Sequence, residues 1–155
     1  MEEQYKAELN VNLAMHLINS EGLSLQFRRA HWDVTGMAFG PLHELFGELY
    51  NYMAGHSDDI AERQRQLGFF TTLVAEDLPT AKYGPGLEPL DDVTLVTNSA
   101  NNLESFIEDI RLILQYTNQT TDFTTTNWLS GVIQDLEKYL WKLRAIVGSV
   151  STDDV

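Results

Sequence analysis

Residues 41–68 read PLHELFGELYNYMAGHSDDIAERQRQLG. In this stretch Leu42, Leu45, Phe46, Leu49, Met53, Ile60 and Leu67 recur at the three- and four-residue intervals of a single apolar stripe on a helix. Pro41, just after Phe39-Gly40, suits a first helical turn, and Gly68 supplies a C-terminal stop. With Leu49 at zero and an advance of about 100° per residue, the stripe occupies roughly −40° to +80°. His56 falls inside it, at about −20°, where a hydrogen-bonded buried histidine is expected rather than a metal ligand. The outward face is different. His43 lies at about 120°, Gly47 at about 160°, Asp58 at about 180°, and Glu44 and Glu62 at about 220°. Between them stand Asn51, Ala54 and Gly55, small enough for another helix to approach closely. Ligand-type side chains interspersed with small ones on an outward face point to a subunit interface.

Outward from this segment, residues 4–33 form a second helical pattern through Leu9, Leu13, Leu17, Phe27 and Ala30, and a turn is expected at Thr35-Gly36. Residues 69–91, with Pro79, Gly84-Pro85-Gly86 and Pro89, read as a long connection carrying a short helix around 72–78. A third stripe follows in Val96, Ala100, Leu103, Ile107, Ile110 and Leu114. A fourth comprises Leu129, Val132, Ile133, Leu136, Leu140, Leu143 and Val147, after a Thr- and Asn-rich loop expected over 117–126. There is no internal repeat and no useful strand-like alternation. The fold class expected is all-α: two hairpins of long helices joined by one crossover, the ferritin-like four-helix bundle plan.

The 155 residues suit one domain, 1–155, and 43% hydrophobic residues suffice for one core. A formal charge of −13 repels phosphate backbones and favours solubility or cation binding. Cysteine is absent, so metal chemistry would have to use histidine and carboxylates. Residues 1–7 lack the apolar run of a secretory signal, and no stretch is apolar enough to span a membrane. A soluble, cytoplasmic protein is expected, although a chain without cysteine suits an oxidising compartment equally well.

On a straight helix, His43 and Asp58 stand about 22 Å apart, so no single ion can touch both in one chain. If two such helices pair antiparallel about a two-fold axis, His43 of one chain meets Asp58 and Glu62 of the other, and symmetry makes two identical sites. His31 can join His43 once the Gly36 turn folds the first helix back.

The series His31-Trp32-Asp33-Val34-Thr35-Gly36, Leu42-His43-Glu44-Leu45-Phe46, Asp58-Asp59-Ile60-Ala61-Glu62-Arg63 and Leu67-Gly68 closely resembles the Dps family of miniferritins. The long connection and Trp141 fit as well. The resemblance implies a dodecameric shell that oxidises Fe(II), preferably with hydrogen peroxide, and stores ferric iron, limiting oxidative damage. It implies His31 and His43 of one subunit, with Asp58 and Glu62 of its two-fold mate, as iron ligands and catalytic residues. Trp32 beside the site and Glu44 near it are accessory candidates. The family's pore aspartates correspond to the region of Asp122 and Asp135, although Asn127 stands where an acid is expected.

One departure is plain. Where the family usually has an aspartate four residues after the second histidine, this chain has Gly47, and Glu44 or Glu48 could substitute only by bending back. The alternative is therefore a Dps-like shell with an impaired site in a structural or metal-binding role. His16 has no carboxylate partner visible in sequence and is read, like His56, as a core histidine. Gly47 also removes the second histidine of a zinc-protease motif, and the Glu-x-x-His pairs of larger ferritins are absent. DNA compaction is the least favoured function. The first eight residues set Lys6 against Glu2, Glu3 and Glu8, and the chain ends Thr152-Asp153-Asp154-Val155, which leaves only a local patch of Arg28, Arg29, Arg63 and Arg65 open.

Overall fold

The computed structural model describes residues 1–83 and 91–148. Gly84-Pro85-Gly86, Pro89 and the acidic end Thr152–Val155 lie outside the described residues. Four long helices, α1 (Glu3–Asp33), α2 (Phe39–Gln66), α3 (Asp92–Thr117) and α4 (Phe123–Val147), account for most of the chain. A 3-10 helix over Ala75–Thr80 lies in the connection. Among the described residues there is no strand and no helix long and apolar enough to cross a membrane.

The expected stripes become the core. Phe27, Phe46 and Phe106 are fully buried with Leu9, Leu13, Leu49, Met53, Ile60, Leu103 and Leu136, while Leu114 and Val147, near helix ends, are only partly covered. α1 packs most extensively on α2 and α3 on α4, and α1–α3 and α2–α4 contacts close the four-cornered bundle. The α1–α2 hairpin carries polar rungs. Gln64 donates to Asn10, Ser57 to Ser20, Ser20 to the Met53 carbonyl and Ser24 to the Tyr50 carbonyl. His16 and His56 form the central rung, Nε2 to Nε2 at 2.9 Å, as the core reading of both rings expected. Burial pushes the pKa of His16 down to about 3, and burial with the neighbouring His16 pushes that of His56 well below its ordinary value, so both rings are neutral.

Two boundaries differ from the sequence reading. The short helix sits over Ala75–Thr80 rather than 72–78, because the Asp77 carboxylate accepts from the Val74 amide and fixes the start there. The loop expected over 117–126 is shorter, and α4 begins at Phe123. Asp122 is its N-cap, accepting from the Thr125 amide at 3.1 Å and the Thr125 hydroxyl at 2.6 Å. Thr120 and Thr126 tie the turn to Thr117 through their hydroxyls. The threonines read as loop are thus partly a first helical turn.

Candidate metal centre

The site is assembled where α1 ends and α2 begins. α1 stops at Asp33, Val34 turns extended, and Gly36 takes φ +101°. The positive φ is what favours glycine there, and a Cβ would also displace the Asp92 carboxylate, whose oxygen would lie 2.5 Å away. The reversal brings His31 against His43. Their rings stack with centroids 3.8 Å apart, and each Nδ1 donates to the other residue's carbonyl oxygen at 2.6 Å.

This crossed pair sets the chemistry. A carbonyl only accepts, so the Nδ1 hydrogens are committed, and a neutral ring so held has its lone pair on Nε2, the tautomer a metal ligand needs. Phe39 stacks on His43 at 5.1 Å, and the Tyr50 ring stands edge-on to His31 at 5.3 Å with the Arg28 guanidinium over it. Both histidines remain partly exposed on the surface shared by α1 and α2. Sequence reasoning missed Phe39 and Tyr50 as supports. The signal available was spacing alone: Phe39 precedes His43 by one helical turn, and Tyr50 follows it by about two.

Asp58 and Glu62 are exposed on the outward face of α2, one turn apart, as are Glu44 and Glu48. Helical rise keeps Asp58 and Glu62 from His43, and among the described residues no group of three or more His, Asp or Glu side chains converges within the chain. Trp32 is 63% exposed beside His31 and Trp141 is 65% exposed on α4. Gly47 does lie on the histidine side of α2: a Cβ there would stand 3.2 Å from His31 Cε1 and Nδ1. Position 47 therefore addresses His31, which the helical wheel alone could not say.

Asp122, the first of the two pore candidates, is buried. Only 2% exposed, its carboxylate caps α4, accepts from Tyr5 Oη at 3.0 Å and pairs with Arg63 at 2.9 Å. Burial alone would raise its pKa, but the bonds from Thr125 and Tyr5 and the Arg63 charge outweigh it and hold the carboxyl below its ordinary value. So engaged, the carboxylate is tied to Thr125 and Arg63 within its own chain. Asp135 is exposed and accepts from Tyr52 Oη at 2.8 Å. The suggested arginine patch is also dispersed. Arg28 lies over Tyr50, Arg29 faces Asp33 at 3.8 Å, Arg63 is drawn inward by Asp122, and Arg65 lies over Phe70.

Comparison with known proteins agrees with this architecture. A ferritin-like domain family matches residues 6–152. DNA protection during starvation protein 2 of Bacillus anthracis is 30% identical over 123 residues, 76% of this chain and 81% of that protein. Its namesake in Deinococcus radiodurans is 32% identical over 143 residues, 88% of this chain, which spans 57% of that longer protein. The crystal structure of a Dps protein from Bacillus brevis superposes with a TM-score of 0.86 at 26% identity, covering 95% of this chain and 99% of that one. On its sequence and its bundle alike, the chain belongs to the ferritin-like superfamily, in the Dps family of miniferritins.

Proposed function

We propose that the chain is a ferroxidase subunit of an iron-storage shell, a dodecamer in the family's manner. Its Fe(II) site is completed between two-fold mates: His31 and His43 from one subunit, Asp58 and Glu62 from the other. The observation that carries this is the crossed histidine pair, which holds both Nε2 lone pairs available in the half-exposed surface next to the α2 face. Two imidazoles and two carboxylates are a donor set suited to iron. Each Fe(II) gives up one electron. With hydrogen peroxide as oxidant, two electrons and two protons cleave its O–O bond to two waters, and hydrolysis of the ferric product releases protons. Consuming Fe(II) and peroxide together would protect cell components without contact with them. Asp135 remains a candidate for an iron-attracting surface.

Light scattering should find a closed oligomer at micromolar protein; a monomer would remove the basis for a shared site. His31→Ala, Asp58→Ala and Glu62→Ala should each abolish most saturable Fe(II) oxidation. A His31/His43 double variant that oxidises iron as fast as wild type, or a wild type no faster than protein-free buffer, would overturn the enzymatic reading. Co-assembly of His43→Ala and Glu62→Ala chains supplies a direct check on sharing, because a mixed two-fold pair rebuilds one intact site that neither variant has alone.

The second reading, a shell with an impaired site, has one observation in its favour. Gly47 contributes no oxygen where the histidine pair faces α2.

A further inference from the structure

Arg63 stands next to Glu62 in α2, yet its charge is committed to α4. Its Nε–H donates to Thr125 Oγ1 at 2.9 Å, Nη1 to Gln66 Oε1 at 3.0 Å and Nη2 to Asp122 Oδ1 at 2.9 Å. The side chains of Arg63 and Asp122 are only 12% and 1% exposed. Asp122 is held through its other oxygen as well, which accepts from the Tyr5 hydroxyl at 3.0 Å and the Thr125 hydroxyl at 2.6 Å. Tyr5 in turn stacks on Tyr116 with centroids 5.3 Å apart, so α1, α3 and α4 together fix the carboxylate that faces Arg63.

This arrangement differs from what α2 alone would favour. An acid four residues before an arginine is the ordinary pairing on a helix surface, and Asp59 stands in that position before Arg63. Glu62, on the neighbouring flank, shares a space with it. Asp59, Glu62, Arg63 and Gln66 line one cavity of about 190 Å³, and Gln66, which already takes Arg63 Nη1, lies one turn beyond Glu62. Even so, Asp58, Asp59 and Glu62 enter no hydrogen bond or ion pair among the described residues, and all three are exposed. The cause is the difference in surroundings. A buried carboxylate attracts a cation through a medium poor in water, whereas exposed acids are screened by solvent.

We propose that Asp122 is a positioning residue for the iron site: by holding Arg63 against α4 it keeps that cation off the acidic face of α2 and leaves Asp58 and Glu62 free to take Fe(II). This role rests on the ferroxidase reading, in which those two carboxylates are what one subunit gives its mate. Arginine does not shed its charge at any working pH, so it is kept from competing with a metal ion only by a stronger partner elsewhere. Asparagine in place of Asp122 would still cap α4 but would release the guanidinium, and the acids nearest to it are then Asp59 and Glu62. The metal would have to displace a tethered cation from the same face. No covalent bond changes and no proton moves.

A double-mutant cycle on the assembled protein separates this role from a general loss of structure or of charge. Zn(II), which takes histidine and carboxylate ligands and neither gives nor accepts electrons, is the probe, and calorimetric titration reads its affinity for the site that His31→Ala removes. Asp122→Asn should weaken Zn(II) binding several-fold when position 63 is arginine and leave it nearly unchanged in an Arg63→Met background. Equal losses in the two backgrounds overturn the proposal, because a slackened bundle or a missing negative charge acts alike in both. Crystals of the metal-free Asp122→Asn protein should show the guanidinium turned to Asp59 or Glu62, and a guanidinium that stays on α4 overturns it as well. If that chain does not assemble, Zn(II)-soaked crystals of the wild type decide: Arg63 on Asp122 with Glu62 on the ion is expected, and Arg63 in contact with Glu62 is the contrary result. A wild type that takes up no saturable Zn(II) defeats the ferroxidase reading instead, and the metal-free crystals still judge whether Asp122 holds Arg63 away from the α2 acids.

Discussion

At residue scale the histidine centre turns on Gly47, whose missing side chain would meet His31 at 3.2 Å. Gly47→Asp is expected to tighten Fe(II) binding and speed oxidation, since the new carboxylate lies beside His31 and the change removes a helix-interior glycine worth about 1 kcal/mol against alanine. The ring must yield a few tenths of an ångström, so Gly47→Ala is the control for crowding without a ligand. An iron titration in which the aspartate and alanine variants both match wild type would show that position 47 is no ligand site. The buried pair His16 and His56 gives a second expectation, with its sign fixed by the lowered pKa values. Near-ordinary histidines in the unfolded chain take up protons below about pH 6.5 that the folded rings refuse. Stability should therefore be level above that pH and fall below it, by up to about 1.4 kcal/mol per pH unit for each ring. Denaturant melts at about pH 7.5 and about pH 5.5 should show the loss in wild type and not in a His16→Phe/His56→Phe chain; an equal loss in both would assign it elsewhere.

Among the elements, the helices were legible because apolar period needs no knowledge of partners: every residue named on the first two stripes is buried. What periodicity cannot carry is a contact set by backbone carbonyls. Spacing singled out His31 and His43, but the reciprocal bonds that commit their Nδ1 atoms depend on how the Gly36 turn aligns two chain ends. The His16–His56 contact, 40 residues apart in sequence, was invisible for the same reason. The start of α4 was misread because threonine-rich sequence is poor helix material until Asp122 caps it. That cap also closes a network in which Arg63 of α2 reaches Asp122 and Thr125, fixing the α2 turn that carries Glu62 against α4. Asparagine is still a good N-cap, so Asp122→Asn isolates the ion pair. With side chains only 12% and 1% exposed, the pair is buried, and the variant should lose about 3 kcal/mol in denaturant unfolding. Because the folded carboxyl titrates below its ordinary value, this advantage is complete above about pH 4 and disappears as the pH falls through the lower folded value. A wild type and variant separated by the same margin in strong acid would contradict it.

For the whole molecule the decisive quantity is charge. The chain carries 23 acidic against 10 basic residues, and six of those ten basic side chains already pair with a carboxylate: Lys6, Arg29, Arg63, Lys82, Arg111 and Arg144. Non-specific DNA affinity comes mostly from Lys and Arg displacing counterions from phosphates, and each contact contributes to a steep salt dependence. A closed shell multiplies the deficit, since every added subunit brings another −13; of the remaining basic side chains, Arg28 lies over Tyr50, Arg65 over Phe70 and Lys142 beside Tyr139. The relatives are named for DNA protection, and removal of Fe(II) and peroxide would give such protection without binding. The assembled protein is therefore expected not to retard plasmid DNA at near-physiological salt. The gel shift must contain a chelator, because divalent cations can bridge two acidic surfaces and imitate affinity. Retardation at submicromolar shell in the presence of chelator would overturn the expectation, and its slope against salt would count the phosphate contacts that this charge distribution does not supply.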